Sequence, residues 1–257
     1  MTTDTSTGNS GGAMRATVAM ATFNGEQYLE AQLRSILGQL EPGDEVVIVD
    51  DASTDSTRSL IASLADPRVR VIAQAANAGV RASFERALCA ARGDLVFLAD
   101  QDDVWLPGKR DALAAALQSG AILALSDASV IDGEGREIER SFQARRGGFR
   151  GSFAATLVKN RYLGCSMAFR RELLEDILPI PPDVPMHDMW IGALAALRGR
   201  VAYIDRPLMQ YRRHGANVSP ERRASLGQML AWRWRLMSLV VARRLRGPRP
   251  FALETLP

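Results

Sequence analysis

Three carboxylates, Asp100, Asp102 and Asp103, stand within four residues directly after the apolar run 95–98. A buried strand over that run would deliver them together to its carboxyl end, which is where open α/β sheets bind ligands. Carboxylates crowded this closely repel one another unless a hard cation lies among them, and Mg²⁺ and Mn²⁺ favour carboxylates combined with substrate phosphates. The cluster predicts a metal-diphosphate site, with a solvated acidic loop as the alternative.

The elements that must position this cluster follow from the spacing of apolar residues. Strands that alternate with helices pair in parallel through right-handed crossovers, so their carboxyl ends share one edge of the sheet. We therefore expect Thr22 with Asn24, Asp50 with Asp51, and the acidic cluster to meet at that edge. The predicted strands are residues 15–20, 45–49, 69–73 and 94–99, and the predicted helices are residues 27–40, 57–64 and 80–91.

The second half of the sequence is less regular. A proline-rich loop over residues 179–185 leads to Asp188, which stands at or beside the start of a mostly apolar helix, where a capping role alone would explain it. The remaining predicted helices are residues 107–117, 153–158, 171–178, 189–197 and a long one from beyond 219 to 246. The remaining predicted strands are residues 121–125, 163–169 and 200–204, with a hairpin turn at 132–135.

Composition bounds the class of protein. The 257 residues are 47% hydrophobic and 24% charged, which is typical of a soluble globular chain with a sizeable core. Cys89 and Cys165 show neither metal-ligand spacing nor a disulfide framework, so a reducing, cytoplasmic location is expected. No run of about eighteen apolar residues predicts a membrane span. Residues 1–13 are expected to form a flexible tail rather than a signal peptide, because they lack a basic and an apolar region.

Four motifs occur in the same order as in a known family. They are residues 18–25, 49–55, 77–79 and 100–103, and together they resemble the family 2 glycosyltransferases with the GT-A fold. The resemblance covers residues 15–215. The Asp-Gln-Asp-Asp-x-Trp form, the 164–167 segment, the His187-Asp188 pair and the ending 211–217 are most similar to bacterial rhamnosyltransferases.

The resemblance implies an α/β, Rossmann-like GT-A domain over residues 14–215, with a mostly parallel mixed central sheet and a C-terminal helical extension over 216–257. It also implies inverting transfer of a sugar, with dTDP-L-rhamnose as the expected donor and another UDP- or GDP-hexose as the alternative. Two other classes of protein would require different motifs. A metal-dependent nucleotidyltransferase predicts a glycine-rich phosphate loop with a lysine, and a nucleic-acid-binding protein predicts its own binding motifs, and the sequence has neither.

The resemblance also assigns roles to residues. Asp102, assisted by Asp100 or Asp103 and completed by His214, would hold Mg²⁺ or Mn²⁺ at the leaving diphosphate. Asp188 would be the general base for the acceptor hydroxyl, with its neighbour His187 as a second candidate. The expected donor-binding residues are Thr22, Asn24, Glu26, Asp50, Asp51, Asn77, Gly79, Arg81, Asp100, Gln101 and Arg213. The expected acceptor-binding residues are Trp105, Gly164, Cys165 and His187.

Several of these residues also have a purely structural explanation. Trp105 and Cys165 fit a packed core, and Asn77 fits a turn. The basic C-terminal helix fits either peripheral contact with the inner face of the plasma membrane or packing against the domain or in a homodimer. The resemblance implies a glycan or polyprenyl-diphosphate-linked acceptor, and no nucleic acid is expected as a partner.

Overall fold

Residues 14–215 and 225–247 are described by the structure, a computed structural model. Within them the chain forms one mixed sheet of nine strands that is covered by helices on both faces. The strands are β1 (Ala16–Thr22), β2 (Glu45–Asp50), β3 (Val69–Ala73), β4 (Leu95–Ala99), β5 (Val104–Trp105), β6 (Leu123–Ile131), β7 (Glu137–Glu139), β8 (Met167–Arg170) and β9 (Val201–Arg212). The helices are α1 (Leu29–Leu37), α2 (Thr57–Ser63), α3 (Val80–Ala90), α4 (Lys109–Gln118), α5 (Phe153–Val158), α6 (Leu174–Ile177), α7 (His187–Arg198) and α8 (Leu226–Arg246).

The first four strands form the parallel half of the sheet, in the spatial order β3-β2-β1-β4. The predicted parallel pairing is confirmed. Residues 46–49 of β2 are fully buried, because the sheet is packed on both faces and a parallel strand then reads as a continuous apolar run. The carboxyl ends of β1, β2 and β4 lie side by side, with Thr22 beside Asp50 in the register. We refer to this edge as the rim.

The other strands make the sheet mixed. β8 runs antiparallel between β4 and β6, and β9 runs parallel to β6. β6 continues to Ile131, so the predicted strand that stopped at residue 125 was too short. The polar pair Ser126-Asp127 interrupts the apolar pattern, so the sequence did not indicate that the strand continues. Asp127 is buried, and its carboxylate accepts hydrogen bonds from the Gln143 N–H (3.1 Å) and the Ser141 hydroxyl, which lets a charged residue stay inside the strand.

Two further predicted elements differ from the structure. Residues 163–169 were predicted as one strand, but Gly164–Ser166 form a 3-10 turn before β8. β9 extends eight residues beyond the predicted end at 204 and passes Pro207, where its pairing with β6 shifts register. Proline has no N–H to donate, so an irregularity is where a strand tolerates it. The longer β9 delivers Arg212 to the rim.

Helix α7 is fixed in the core by Trp190. The indole is fully buried, and its Nε1 donates a hydrogen bond to the Ile177 carbonyl (2.9 Å). Removing a buried aromatic side chain from a core typically costs about 3–5 kcal/mol, so this anchor is strong. His187 and Asp188 lie in the first turn of the same helix, which gives both side chains a fixed position.

The C-terminal helix α8 begins after Ser225, whose hydroxyl accepts the Gln228 N–H (3.2 Å). One side packs on the domain through the buried residues Leu236 and Val240. Apolar residues four and seven positions apart form a second stripe that is exposed, and Trp234 in it is 75% exposed. The exposed stripe consists of Leu230, Trp234, Val241 and Leu245.

The predicted long helix is therefore present over 226–246, and the predicted residues 219–224 lie outside the described chain. Across residues 14–215 and 225–247, none of the helices combines the length and the apolar character that crossing a bilayer requires.

Candidate active site

Two loops dock against each other at the carboxyl ends of β1 and β2. Asn24 has a left-handed backbone (φ 48°), which asparagine tolerates better than most residues, and its side-chain oxygen accepts the Thr54 N–H (2.9 Å). The Glu26 carboxylate accepts the Ser56 N–H (2.8 Å). Asn24 and Glu26, both predicted to bind the donor, are thus at the rim, and both side chains hold the loop that follows β2.

Gln101 joins the loop after β1 to the acidic cluster. Its Oε1 accepts the Thr22 hydroxyl (2.7 Å) and the Phe23 N–H (2.9 Å), and its Nε2 donates to the Phe23 carbonyl (3.1 Å). A Cβ atom on Gly25 would stand 2.4 Å from that Oε1, so only glycine fits beside it. Gln101 and Thr22, also predicted to bind the donor, position the loop through these contacts.

Asp51 holds the turn before α3. Its carboxylate accepts the N–H groups of Ala78 (2.7 Å) and Gly79 (2.8 Å) and the Gln74 side-chain amide (2.7 Å). Gly79 has a φ of 85°, a conformation that favours glycine. Asn77 is exposed on this turn. The structure brings Asp51, Asn77 and Gly79 together, as the motif predicted, with the carboxylate turned toward the backbone.

Two other predicted donor-binding residues are engaged within the protein. Asp50 is fully buried, and its Oδ2 accepts the Ser53 N–H (3.3 Å). Arg81 forms an ion pair with Glu85 (2.9 Å) and donates to the Ile180 carbonyl (3.1 Å). These contacts fix the walls of the rim.

The acidic cluster divides into an outer and an inner part. Asp102 meets His214, with 2.8 Å between Oδ2 and Nε2, and both side chains are partly accessible. Asp103 is fully buried, and its Oδ1 accepts the Arg212 N–H of β9 (3.0 Å). The Arg212 guanidinium donates to the Asp102 carbonyl (2.8 Å). The end of β9 is thereby tied to the acidic cluster, and His214 is placed beside Asp102.

The inner carboxyls bind protons more tightly than ordinary aspartates. Burial and the charge of Asp102 raise the pKa of Asp100 to about 7 and hold the pKa of Asp103 well above its usual range. The nearby cation is Lys109, which is fully buried and donates to the Cys165 carbonyl (2.6 Å). Burial lowers the pKa of Lys109 to about 8. The attraction between the carboxylates and the lysine therefore reduces the free-energy cost of burying their charges.

The outer pair could hold a divalent cation. Asp102 Oδ2 and His214 Nε2 are 2.8 Å apart, at hydrogen-bond distance from each other. Two ligands at right angles, each about 2.1 Å from one ion, lie about 3 Å apart, so an ion could take the place of the shared hydrogen with little movement of either side chain. Asp100, Asp103 and Cys165 also converge to within 4.8 Å of one another. Burial raises the pKa of the Cys165 thiol well above its usual range, and a protonated thiol is a poor ligand for Mg²⁺ or Mn²⁺. Asp102 and His214 are therefore the better-suited ligands.

Asp188 packs against Gly164 of the Gly164–Ser166 turn. Its Oδ1 accepts the Met189 N–H (2.6 Å) and the Asn160 side-chain amide (3.4 Å), and burial raises its pKa to about 6. The N-cap of α7 is Met186, and Asp188 is the second residue of the helix, where its side chain accepts one N–H of the first turn, so a capping contact is present beside the N-cap position. A Cβ on Gly164 would stand 3.5 Å from the Asp188 Cβ, so the turn packs against the Asp188 side chain.

His187 has a different environment from its neighbour. Its ring stacks on Phe84, with 4.6 Å between centroids and 26° between planes. Burial lowers the pKa of His187 to about 4, which makes the imidazole a weaker base than the Asp188 carboxylate. A Cβ on Gly164 would lie 3.3 Å from the His187 Nε2, so His187 and Gly164 line the same wall.

Two residues predicted to bind the acceptor are not on an open surface. Trp105 is 2% exposed and packs against Phe97, with 5.6 Å between ring centroids. This burial argues against the predicted role in acceptor binding and favours the packing alternative, because the α1 and α4 side of the core encloses nearly all of the ring. Cys165 is 1% exposed and packs with Met209 and Tyr211, which favours the packing alternative.

Three residues of this region were missed in the sequence. The Tyr28 ring lies 4.9 Å from the His214 ring and 4.6 Å from the Arg212 guanidinium. Asn160 binds Asp188 from 28 positions away, and nothing local marks either Tyr28 or Asn160. Lys109 did carry a signal, since it precedes the buried residues 113 and 117 by four and eight positions and so falls on the buried face of α4.

Comparison with known proteins assigns the family. The profile described as glycosyl transferase family 2 matches residues 17–178, which include all three rim loops and the acidic cluster. The chain belongs to glycosyl transferase family 2. This membership argues against the nucleotidyltransferase and nucleic-acid-binding alternatives.

Relatives within family 2 extend the match beyond residue 178. An uncharacterized glycosyltransferase of Nostoc is 32% identical over 218 residues, which cover 79% of this chain and 66% of the relative. The dTDP-rhamnosyl transferase RfbG of Shigella flexneri is 28% identical over 221 residues, which cover 78% of this chain and 75% of RfbG. The chain thus spans just under two thirds of the Nostoc protein and three quarters of RfbG.

The fold has a solved counterpart. The structure of S. aureus TarS 1–349 in complex with UDP-GlcNAc superimposes with a TM-score of 0.67 at 22% sequence identity, covering 93% of this chain and 68% of TarS. The predicted α/β fold of the GT-A type, with its mixed sheet, is confirmed.

Proposed function

We propose that this family 2 protein transfers a sugar from a nucleoside diphosphate to an acceptor hydroxyl with inversion. One observation carries the proposal. The Gly164–Ser166 turn contacts both the acidic cluster and Asp188: the Cys165 Sγ lies within 4.8 Å of carboxylate oxygens of Asp100 and Asp103, and a Cβ on Gly164 would stand 3.5 Å from the Asp188 Cβ. A leaving-group site and a base separated by one turn of chain are what a single displacement requires.

Asp188 supplies the base. An acceptor hydroxyl is barely ionised at neutral pH, and removal of its proton during the reaction is typically worth about 10²- to 10⁴-fold. Burial raises the pKa of Asp188 to about 6, so the carboxylate is mostly ionised at pH 7 and more basic than an exposed aspartate. The Asn160 amide and the Met189 N–H orient one oxygen, Oδ1. Oδ2 is then the atom that takes the proton.

A divalent cation, Mn²⁺ or Mg²⁺, would be held by Asp102 and His214, and when bound it would neutralise charge on the leaving diphosphate. A ligand set that combines carboxylate and imidazole favours Mn²⁺ over Mg²⁺. The rim loops of Asn24, Asp51 and Gly79 would surround the nucleoside, since they lie at the carboxyl ends of the parallel strands. Arg213, beside His214, is proposed to reach the diphosphate.

The donor is proposed to be dTDP-L-rhamnose. The support is the motif resemblance and the similarity to RfbG, which is named a dTDP-rhamnosyl transferase. A UDP- or GDP-hexose is the second candidate, because the TarS structure holds UDP-GlcNAc. Hydrolysis of a panel of activated sugars with Mn²⁺ tests the choice, since donor turnover needs no known acceptor. Fastest release of dTDP from dTDP-rhamnose is expected. Faster release of UDP or GDP from another activated sugar would replace dTDP-rhamnose as the proposed donor. No nucleotide release from any of the sugars would contradict the proposed transferase activity.

The acceptor is proposed to be a cell-surface glycan or a polyprenyl-diphosphate-linked intermediate, met at the inner face of the plasma membrane. The exposed stripe of α8 supports a peripheral contact, because an exposed tryptophan and leucines beside arginines suit a bilayer interface. The boundaries proposed for the catalytic domain are 14–215, with α8 as its extension. A homodimer formed through the same stripe is the competing use, and it would appear in solution as a doubled mass without lipid.

A further inference from the structure

A group of basic side chains lies near the base and has no role in the mechanism above. Arg146 belongs to a 3-10 turn after β7, and Lys159 and Arg161 follow α5. We call these three residues the basic cluster. In the part of the chain that the structure describes, none of them forms an ion pair with an acid.

Two arginines on the same segment behave differently. Arg140 pairs with Glu137 (3.7 Å between Nε and Oε1), and Arg145 pairs with Glu139. The acids of this segment are thus matched with Arg140 and Arg145, and the basic cluster remains as a net positive charge. A concentration of one sign of charge at a cleft attracts ligands of the opposite sign.

The members of the basic cluster are held in place. The Lys159 ammonium donates to the Arg146 carbonyl (3.2 Å), and the Arg161 guanidinium donates to the Gly147 carbonyl (2.9 Å) and to that of Gly148. The Arg146 guanidinium lies 3.5 Å from the centre of the Phe142 ring. The two glycines have φ values of 79° and 73°, so the turn needs them.

Neighbouring residues place the basic cluster on the acceptor side. Asn160 stands between Lys159 and Arg161 in the chain and binds the Asp188 carboxylate (3.4 Å). Phe142, under Arg146, contacts Tyr211 edge-on, with 5.7 Å between ring centroids. Burial lowers the pKa of Arg146; the nearby Glu139 carboxylate opposes this shift, and the charges of Arg213 and Arg145 add to it.

We propose that the basic cluster binds a phosphate or diphosphate group of the acceptor, beside the hydroxyl that Asp188 activates. The inference rests on the proposed role of Asp188 as the base. Guanidinium groups recognise phosphate oxygens through paired hydrogen bonds, and an anion would neutralise cations that the fold brings together. The phosphate can belong to a lipid diphosphate or to a phosphate-bearing polymer.

The test uses the full chain saturated with Mg²⁺ and the nucleoside diphosphate that stabilises it most, so that the donor site is occupied. Geranyl diphosphate, glycerol 3-phosphate and uncharged geraniol are then titrated by calorimetry. Binding of a phosphate probe without binding of geraniol is expected. Arg146→Gln and Arg161→Gln should each lower the affinity for the phosphate probe by at least about tenfold, because each removes a charge-assisted contact.

Arg145→Gln is the matched control, because Arg145 is next to Arg146 in the chain but has an acid partner. The affinity of this variant for the phosphate probe should change less than about twofold. Arg161→Lys keeps the charge and should recover part of the affinity, which a purely structural loss would not. Geranyl diphosphate binding more tightly than glycerol 3-phosphate indicates a lipid source, and equal binding indicates a polymer. A nucleotide-loaded protein that binds neither phosphate, or an equal loss in Arg145→Gln, overturns the inference and leaves the proposed function standing. A protein that binds no nucleotide overturns both.

Discussion

Protonation of Asp188 should control the rate of sugar transfer. Burial raises the pKa of this carboxyl to about 6, and only the ionised form can accept the hydroxyl proton. With that pKa, about 90% of the enzyme has the carboxylate at pH 7 and about 10% at pH 5. The transfer rate at saturating substrates should therefore rise about tenfold from pH 5 to pH 7 and then level off. Since a raised carboxyl pKa favours the protonated form, the loss occurs on the acidic side.

Asp188→Asn removes the base and keeps the size of the side chain. We expect the transfer rate to fall about 10²- to 10⁴-fold, with the step near pH 6 abolished. Donor affinity should stay within about twofold of the wild type, because the proposed role of Asp188 is to activate the acceptor hydroxyl and not to bind the donor. Asp183→Asn is the matched control, since this exposed aspartate of the loop before α7 pairs with Arg235 of α8 and its replacement should leave the rate unchanged.

The assay is a fixed-time measurement of nucleotide release with and without acceptor, from pH 5 to pH 8, with donor affinity determined at each pH. Donor affinity is needed because Asp100 has a pKa of about 7 and lies beside Asp102, so donor binding has its own pH dependence. A transfer rate that is flat between pH 5 and pH 7 after correction for donor binding would refute the assignment. So would an Asp188→Asn variant that retains more than about a tenth of the rate.

Three other predictions address separate parts of the molecule. Asp102→Ala should abolish the Mn²⁺-dependent part of the thermal stabilisation by a nucleoside diphosphate, and an unchanged shift in melting temperature would remove Asp102 from the metal site. Gly25→Ala should cost about 1–3 kcal/mol of unfolding free energy, measured in urea, because its Cβ displaces Gln101. The cost should shrink in a Gln101→Ala background, and additive costs would contradict the clash. Leu230→Ser combined with Trp234→Ser should weaken binding to anionic vesicles at least about tenfold, measured by co-sedimentation. If the variant and the wild type co-sediment with the vesicles equally, the exposed stripe is a packing or dimer face instead.

The parallel half of the fold was predictable because its strands are continuous apolar runs separated by helical spacing. Local pattern sufficed there, and the strand ends carried Asp50, Asp51 and the acidic cluster to the rim as expected. The antiparallel half was less predictable. β6 contains Asp127, and a charged residue after an apolar run predicts that the strand ends there. Its burial is possible because Ser141 and Gln143, which are distant in the sequence, donate hydrogen bonds to its carboxylate.

The site shows the same limit. The motifs identified which residues gather, but their spacing does not say which way a side chain faces. Trp105 follows the acidic cluster and still belongs to the core, and Asn160 reaches Asp188 from a segment without a motif. Direction and distant partners depend on tertiary packing, which a single sequence does not contain.

Gln101 accepts the Phe23 N–H and donates to the Phe23 carbonyl, the exchange that a hydrogen-bonded pair makes between antiparallel strands. Its side-chain amide thus links the segment after β4 to the residue after β1, beyond the point where the parallel pairing of these strands stops. Glutamate would place an acceptor against the Phe23 carbonyl, and asparagine is one methylene too short to span the gap. The middle residue of the Asp-Gln-Asp motif must therefore carry an amide at the length of a glutamine side chain. Its hydrogen bonds to the Phe23 backbone fix the segment that carries the acids on either side of it.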